Sequence, residues 1–170
     1  MKEKRLSNPE KFYDIFESSL GTLYILCVGK NLCGIEFKKP AKLRKGKAPS
    51  QIKKELGEYF ESGRSDFTQK IVFTKGTDFE REIWLTLKEI PYGETRTYKW
   101  LASKLGKPTA SRAVGQALSR NPLPIILPCH RVIESDGSIG GYSAGINIKR
   151  RLLDMEYYIQ LGKKDIPKNL

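Results

Sequence analysis

Hydrophobic and polar residues alternate through the first part of the chain, as they do in half-buried strands. This pattern predicts three strands, over residues 12–16, 20–28 and 31–38. Gly29-Lys30-Asn31 predicts a hairpin turn between the last two. A basic segment from Lys39 to Pro49 predicts a linker, and Ser50–Glu61 has the pattern of a helix. The apolar run Phe67–Phe73 predicts one more strand.

Helical spacing dominates the second part of the chain. Thr77-Asp-Phe-Glu80 is a capping-box sequence, which predicts a helix that runs to Ile90. Ile146–Ile159 predicts a final helix, and the tail from Gly162 is expected to fray. We therefore expect a protein of the α/β class with two small domains, residues 1–75 with the sheet and residues 76–170 with most of the helices.

Two short helices in the second part predict a helix-turn-helix. Thr97 can cap a first helix, Tyr98–Leu105, and a second helix begins near Thr109 or Ser111 and stops at Asn121. The apolar face of the second helix is formed by Ala113, Val114, Ala117 and Leu118. Its other face carries Arg112, Gly115, Gln116, Ser119 and Arg120. The small residues make this helix slim enough to approach a groove closely, although many such helix pairs bind nothing.

The charge of the chain favours a polyanionic partner. Lysine and arginine number 31 against 19 acidic residues, which gives a net charge of +12. The stretch from Arg96 to Arg131 contains no Asp or Glu, and its basic residues are Arg96, Lys99, Lys104, Lys107, Arg112, Arg120 and Arg131. A lysine excess can also serve solubility or adaptation to heat. Because a diffuse excess would not leave so long an acid-free window, we favour nucleic acid as the partner.

The sole histidine of the chain follows a cysteine in Pro128-Cys129-His130-Arg131-Val132. A thiol beside a base at the end of an apolar run suits a locally activated nucleophile, and we expect the thiol to be partly ionised near neutral pH. Buried cysteines are more often inert, however, and adjacent residues on a strand point to opposite faces. The pair can cooperate only if the chain turns at this point or if a water links the thiol to the imidazole.

The other two cysteines have a structural interpretation. Cys27 and Cys33 are expected to lie opposite one another across the predicted hairpin, at a distance that permits a disulfide. The chain shows no signal peptide and no long apolar run, so we expect a cytoplasmic protein in which these thiols stay reduced. A zinc site is not expected, because it needs four Cys or His ligands, and two of the only four such residues in the chain belong to the Cys129-His130 motif.

Several motifs of the second part belong together. The run Asn121-Pro-Leu-Pro-Ile-Ile-Leu-Pro-Cys-His-Arg-Val-Ile133 is followed by Gly140-Gly-Tyr-Ser143 and preceded by Pro91-Tyr-Gly-Glu-Thr95, Tyr98 and Arg112-Ala-Val-Gly-Gln116. This set resembles the O6-alkylguanine-DNA alkyltransferases, or methylated-DNA–protein-cysteine methyltransferases, in register over roughly residues 77 to 157. The first part resembles the family only in its predicted sheet and its length. Some relatives carry an amino-terminal zinc site, for which this sequence lacks the histidines.

The resemblance implies a ribonuclease-H-like amino-terminal domain, a winged helix-turn-helix carboxy-terminal domain, and a reaction. A cysteine takes the alkyl group from O6 of guanine irreversibly and once per protein molecule, after the base has been flipped out of the duplex. Cys129 would be the nucleophile and acceptor, His130 would deprotonate it through a water, and Glu156 would orient His130. Asn121 would fix the turn before the cysteine. Tyr98 would donate a proton to the departing guanine.

The resemblance also implies a DNA interface. Arg112 would enter the duplex in place of the flipped nucleotide, with its helix in the minor groove. The residues expected to contact DNA are Arg112, Ala113, Gly115, Gln116, Ser119, Tyr142 and Ser143. The partner would be double-stranded DNA that contains O6-alkylguanine, bound by a monomer without metal, cofactor or membrane.

Three other interpretations remain at this point. A lesion-sensing protein without catalysis would lack the acceptor cysteine, which this chain retains. A methyl-responsive transcription factor would need a further DNA-binding domain, for which 170 residues leave no room. A thiol hydrolase would turn over repeatedly, so counting the product formed per protein separates it from an alkyl acceptor.

Overall fold

The computed structural model describes residues 9–162, and the tail after Gly162 lies outside the described residues. The strands of the main sheet are β1 (Lys11–Ser18), β2 (Gly21–Val28), β3 (Asn31–Glu36) and β4 (Arg44–Lys45). They lie in the order β3-β2-β1-β4, with antiparallel hairpins between β1, β2 and β3 and a parallel contact between β1 and β4. The three strands predicted in this region are confirmed, while the predicted linker Lys39–Pro49 contains the short strand β4.

The helices are α1 (Ser50–Ser62), α2 (Asp78–Thr86), α3 (Tyr98–Lys104), α4 (Ser111–Ser119) and α5 (Ile146–Gly162). The capping box at the start of α2 is formed, because Thr77 Oγ1 accepts from the Glu80 backbone N–H and the Glu80 side chain accepts from the Thr77 backbone N–H. The helix predicted to reach Ile90 ends at Thr86 and tightens into a 3₁₀ turn over Leu87–Glu89. The other helix predictions are confirmed within two residues, except that α5 extends three residues beyond the predicted end at Ile159 and includes Gly162.

The predicted strand Phe67–Phe73 is wrong. Only Ile71 forms a bridge, to Leu32 of β3, with hydrogen bonds of 2.9 and 2.8 Å on its two sides. Further along β3, the Ile35 N–H donates instead to the carbonyl oxygen of Pro122 at 2.9 Å. A loop from the second half of the chain therefore shares the edge of β3, which leaves this segment too little edge to form a full strand.

The predicted alignment of Cys27 with Cys33 is also wrong. A register shift beside Leu26 pairs Cys27 with Leu32. The Cys27 side chain lies in the main core, whereas Cys33 packs in a smaller cluster with Tyr13 and Leu26. The two thiols are free, and burial raises the pKa of Cys27 to about 12.

One hydrophobic core joins the two halves of the chain. It includes Leu56 and Tyr59 of α1 together with Trp84 of α2 and Leu152 of α5. The indole N–H of Trp84 donates to the carbonyl oxygen of Ala117 at 2.7 Å, which fixes α4 against α2. The parallel pair β5 (Arg96–Thr97) and β6 (Val132–Ile133) brings the chain after Cys129 beside the start of α3. Between residues 9 and 162, no helix is both long and apolar enough to cross a membrane.

Candidate active site

The loop that leads to Cys129 is held from inside by Asn121. Its Oδ1 accepts from the Leu123 N–H at 3.0 Å, and its Nδ2 donates to the Leu127 carbonyl oxygen at 2.8 Å. Ile125 has a φ of 76°, a conformation that is costly for a β-branched residue and has to be enforced by its surroundings. Cys129 then begins a 3₁₀ turn, Cys129–Arg131. The chain therefore turns where cooperation between the thiol and the imidazole requires it to turn.

A cavity of about 640 Å³ opens at Cys129. Its lining brings together eight residues singled out from the sequence, namely Tyr98, Arg112, Gly115, Gln116, Ser119, Cys129, Tyr142 and Ser143. Ala113 is exposed on α4 but does not line the cavity, and Asn121, His130 and Glu156 lie outside its lining. Gly141 of the Gly140-Gly-Tyr-Ser143 motif and Glu134, which was not expected at the site, also form part of its wall. The cavity therefore connects the exposed face of α4 to the thiol.

Gly140 allows the wall of the cavity to close on Tyr98. Its φ of 72° favours glycine, and a Cβ at this position would lie 3.1 Å from the Tyr98 hydroxyl oxygen. Burial raises the pKa of Tyr98, and the nearby Glu134 and Cys129 act in the same direction. The phenol of Tyr98 therefore keeps its proton at neutral pH.

His130 and Glu156 form a buried pair behind the cysteine. His130 Nε2 lies 2.6 Å from Glu156 Oε1, and both side chains are almost fully inaccessible to solvent. Burial lowers the pKa of His130, although the charge and hydrogen bond of Glu156 oppose this effect. His130 Nδ1 is buried and forms no hydrogen bond with any residue in the described range. The imidazole is thus fixed at one nitrogen and uncommitted at the other.

Arg131 also binds Glu156. Its place in the acid-free stretch Arg96–Arg131, the basic window, had instead predicted a side chain that faces DNA. Its Nε donates to Oε2 at 2.9 Å, its Nη2 donates to Oε1 at 2.9 Å, and its Nη1 donates to the Ile90 carbonyl oxygen at 2.8 Å. Burial by itself would raise the pKa of Glu156, but His130 and Arg131 hold it well below its ordinary value. Glu156 is therefore a carboxylate at any pH at which the protein works.

The environment of Cys129 does not favour a resting thiolate. Burial raises the pKa of its thiol, whereas Asn121, Lys149 and Tyr142 oppose the increase. Tyr142 lowers the pKa of the thiol less than a full hydrogen bond would. Its buried hydroxyl faces the sulfur but forms no hydrogen bond of good geometry to any described residue. The thiol expected to be partly ionised near neutral pH is instead largely protonated, so that it needs a base to become reactive.

Lys149 is a buried cation that the sequence analysis missed. Its Nζ donates to the carbonyl oxygens of Val132 at 2.7 Å and Gly141 at 3.1 Å. Burial lowers the pKa of Lys149, although Cys129 and Glu134 oppose this effect. The signal for Lys149 was its spacing on α5, where it shares one buried face with Leu152 and Glu156 at i, i+3 and i+7.

Fewer basic side chains of the window are available to a partner than its sequence indicates, because acidic residues outside the window form ion pairs with four of them. The ion pairs are Arg96–Glu94, Lys104–Glu89, Arg120–Glu80 and Arg131–Glu156, at 2.8, 2.8, 2.8 and 2.9 Å. Within residues 9–162, Lys99, Lys107 and Arg112 have no carboxylate within ion-pair distance, and all three are exposed. These three residues are therefore the cations of the window that remain exposed and unpaired within the described range. The same range contains no group of three or more His, Cys, Asp or Glu residues that could hold a metal ion.

Comparison with known proteins places the chain in a family. The model of the 6-O-methylguanine DNA methyltransferase ribonuclease-like domain matches residues 11–72, and that of the DNA binding domain of the same family matches residues 78–158. The chain is 43% identical over 153 residues to the methylated-DNA–protein-cysteine methyltransferase of Methanosarcina barkeri, which covers 85% of this chain and 96% of the relative. The chain belongs to the methylated-DNA–protein-cysteine methyltransferase family.

Solved structures support the same assignment. The O6-methylguanine methyltransferase of Mycobacterium tuberculosis matches with a TM-score of 0.79 at 37% identity, over 86% of this chain and 93% of that protein. The M. tuberculosis protein OGT in complex with DNA matches with a TM-score of 0.81 at 37% identity, over 87% and 94% of the two chains. The expected fold, a ribonuclease-like domain followed by a DNA-binding helix-turn-helix domain, is confirmed. The division at residue 75 stays a prediction.

Proposed function

We propose that this methyltransferase repairs O6-alkylguanine in double-stranded DNA by transferring the alkyl group, once and irreversibly, to Cys129. One observation carries the proposal: Cys129 lines a cavity below the exposed face of α4, with a buried His130–Glu156 pair behind it. A nucleophile below a DNA-binding helix, with its base beside it in the chain, suits attack on a base that has left the duplex.

The proton of the thiol goes to His130. Because burial disfavours the Cys129 thiolate, the proton leaves only as a base accepts it, and His130 Nδ1 is the uncommitted atom that can accept it, through a water. The imidazolium that forms is stabilised by Glu156, whose carboxylate is already ionised. The positive charge of Lys149 favours the thiolate as it develops. This arrangement keeps the thiol inert until a substrate is in place.

Transfer then exchanges one bond for another. The sulfur forms a bond to the alkyl carbon, and the bond between that carbon and O6 breaks, with its electron pair moving to guanine. The guanine anion accepts a proton, and the phenol of Tyr98, which burial keeps protonated, is the proposed donor. Asn121 would hold the loop that places the sulfur in line with this bond. The product is a thioether, which water does not cleave, so the protein is consumed.

The exposed face of α4 is the proposed DNA-contacting surface. Arg112 would occupy the space left by the flipped nucleotide, and Ala113, Gly115, Gln116 and Ser119 would lie along the minor groove. Tyr142 and Ser143 would contact the flipped base from the opposite wall of the cavity. Because these contacts are mostly to backbone and groove edges, sequence preference should be weak.

The test is a titration of the protein with O6-methylguanine duplex. Repaired guanine should rise in proportion to protein and stop at one equivalent, since each transfer removes one thiol. A Cys129→Ser variant should bind the duplex with similar affinity and repair none of it, because an alcohol is far less ionised than a thiol. More than one product per protein would instead indicate a turning-over enzyme, such as a thiol hydrolase.

We also propose that the protein acts as a monomer, without cofactor, in the cytoplasm. One cavity with one acceptor thiol is sufficient for one transfer, and no second copy is needed to complete the site. Sedimentation of the complex with a short duplex should show one protein per lesion. A complex with two proteins per lesion at the lowest concentrations that bind would contradict the monomer.

A further inference from the structure

Tyr59 connects the ribonuclease-like half of the chain to the pair behind Cys129. It lies on α1, is fully buried, and donates from its hydroxyl to Glu156 Oε1 at 2.7 Å across 97 positions of sequence. The two residues thus belong to the two different family domains, which the core joins. This bond links the first domain directly to the proposed acid–base residues.

Tyr59 binds the same carboxylate oxygen that pairs with His130. Glu156 Oε1 accepts from Tyr59 at 2.7 Å, lies 2.6 Å from His130 Nε2, and accepts from Arg131 Nη2 at 2.9 Å. Three groups from two elements, Tyr59 on α1 and His130 and Arg131 on the 3₁₀ turn, therefore fix the position of one oxygen. Because they share its negative charge, removing one of them changes how strongly the oxygen attracts the other two.

Tyr59 is a permanent donor in this cluster. Burial raises its pKa well above the ordinary value, and the charge of Glu156 acts in the same direction. The hydroxyl therefore stays protonated over the whole range in which DNA is stable, and it cannot exchange roles with the carboxylate.

We propose that Tyr59 is a positioning residue for alkyl transfer, which holds Glu156 Oε1 and limits the basicity of His130. The inference rests on the proposed function of Cys129 and His130. Without the hydroxyl, Glu156 is less firmly held, and more of its charge acts on His130. The imidazolium becomes more stable, so that His130 needs a higher pH to reach the neutral form that can accept the thiol proton.

Several other groups act on this equilibrium. Glu156 and Lys149 face His130 from α5, Arg131 faces it from its own turn, and Cys129 precedes it in the chain. These groups are unchanged when Tyr59 alone is altered. A shift in the titration of His130 in that variant therefore reports the lost hydroxyl.

Tyr92 provides a matched control. Its ring packs edge-on against Tyr59 with centroids 5.7 Å apart, and its hydroxyl is buried but has no hydrogen-bond partner among the described residues. Tyr92→Phe and Tyr59→Phe each remove one buried hydroxyl from the same cluster. Only the Tyr59 variant removes a bond to Glu156.

Single-turnover transfer from O6-methylguanine duplex should be measured for the wild type and both variants across the neutral pH range. For Tyr59→Phe we expect a rate about 5- to 20-fold lower at neutral pH, below the 10²-fold that a misplacement of 1 Å can cost. The pH midpoint of the rate should move upward. Tyr92→Phe should match the wild type in both respects, and a purely structural role of Tyr59 would lower stability without moving the midpoint.

A second readout does not depend on transfer. His130 is the sole histidine, so its imidazole NMR signals are unambiguous, and its pKa should be higher in Tyr59→Phe than in the wild type or in Tyr92→Phe. If the wild type fails to alkylate Cys129, the proposed function is wrong, while the NMR titration still tests Tyr59. A Tyr59→Phe protein with the wild-type pKa and rate overturns the inference. So does a Tyr92→Phe protein with the same defects.

If Tyr59→Phe does not fold, the wild-type protein still provides a test. The Tyr59 hydroxyl proton and the His130 Nε2 proton point to one oxygen, so both should exchange slowly with solvent and show a nuclear Overhauser effect to each other. Failure to observe that effect, with both protons assigned, would contradict the shared oxygen on which the inference depends.

Discussion

Replacing Glu156 with glutamine removes one negative charge from the centre of the site and keeps the shape of the side chain. In the wild type, Oε1 faces Tyr59, His130 and Arg131, whereas Oε2 faces Arg131 and the Gly93 N–H at 3.2 Å. An amide nitrogen at either position would point at two or more donors. Glutamine therefore loses hydrogen bonds in both of its orientations and leaves the buried guanidinium of Arg131 without a counter-charge.

The expected loss of stability is large. Breaking a buried ion pair by removing one partner costs about 3–5 kcal/mol. For a chain of this size, that cost corresponds to a decrease in Tm of roughly 6–20 °C. We expect single-turnover transfer at neutral pH to slow by about 10²-fold, less than the roughly 10⁴-fold found when the acid of a hydrolase triad becomes an amide. One orientation of glutamine still accepts from His130, which is why the loss is smaller.

The stability of Glu156→Gln should also depend less on pH. The pKa of Glu156 is depressed in the folded protein, so its contribution is complete above the ordinary value of 4.5 and is lost as the pH falls below it. Wild-type stability should therefore fall on acidification below about pH 4.5 more steeply than that of the variant. Urea unfolding at several pH values measures both slopes.

Glu82→Gln is the control, because Glu82 is exposed on α2 and forms no ion pair within residues 9–162. It should match the wild type in stability, in pH dependence and in transfer rate. A Glu156→Gln protein that transfers methyl groups at wild-type speed would remove Glu156 from the mechanism. Equal acid slopes for Glu156→Gln and the wild type would refute the depressed pKa.

Other substitutions test separate parts of the site. Arg112→Ala should slow transfer from duplex DNA more than it weakens binding, and an unchanged single-turnover rate would contradict its role in extrusion. Lys99→Ala should reduce the slope of log affinity against log salt by about one, equally on damaged and intact duplex, whereas Lys104→Ala should change it less because Glu89 already pairs with that residue. Lys149→Met should shift the pH dependence of Cys129 alkylation by iodoacetamide upward by roughly one pH unit, which corresponds to a tenfold loss of thiolate at a given pH. Mass spectrometry of the peptide that contains Cys129 measures the extent of alkylation.

Local sequence signals were sufficient for much of the fold. The capping box before α2, the alternation in β1 to β3 and the glycine after α3 act within a few residues, so their effect is readable without tertiary contacts. The prediction for Phe67–Phe73 was wrong because the Pro122 loop hydrogen-bonds to part of the same edge of β3, a long-range contact that no local sequence pattern shows. The Cys27 alignment failed because a β-bulge shifts the register by one residue.

The residues of the candidate site also fall into those that local sequence predicts and those that depend on tertiary contacts. Cys129 and His130 were found from their own sequence, whereas Glu156 entered through the resemblance, since it lies 26 positions away. The acid-free stretch predicted that Arg131 belongs to a group of basic residues that face DNA. The sequence alone does not show that its side chain instead points inward and binds the carboxylate of Glu156. Tyr59 has no local signal at all, because its bond to Glu156 exists only once the two domains are packed together.

The central claim is that one thiol accepts the alkyl group. Peptide mapping after reaction with duplex DNA that carries isotopically labelled O6-methylguanine tests it most directly. Lys30 lies between Cys27 and Cys33, so tryptic cleavage places the three cysteines in three separate peptides. One label per protein, located entirely on Cys129, is the predicted result. A label on Cys27 or Cys33, or guanine repaired without any label retained on the protein, would contradict it.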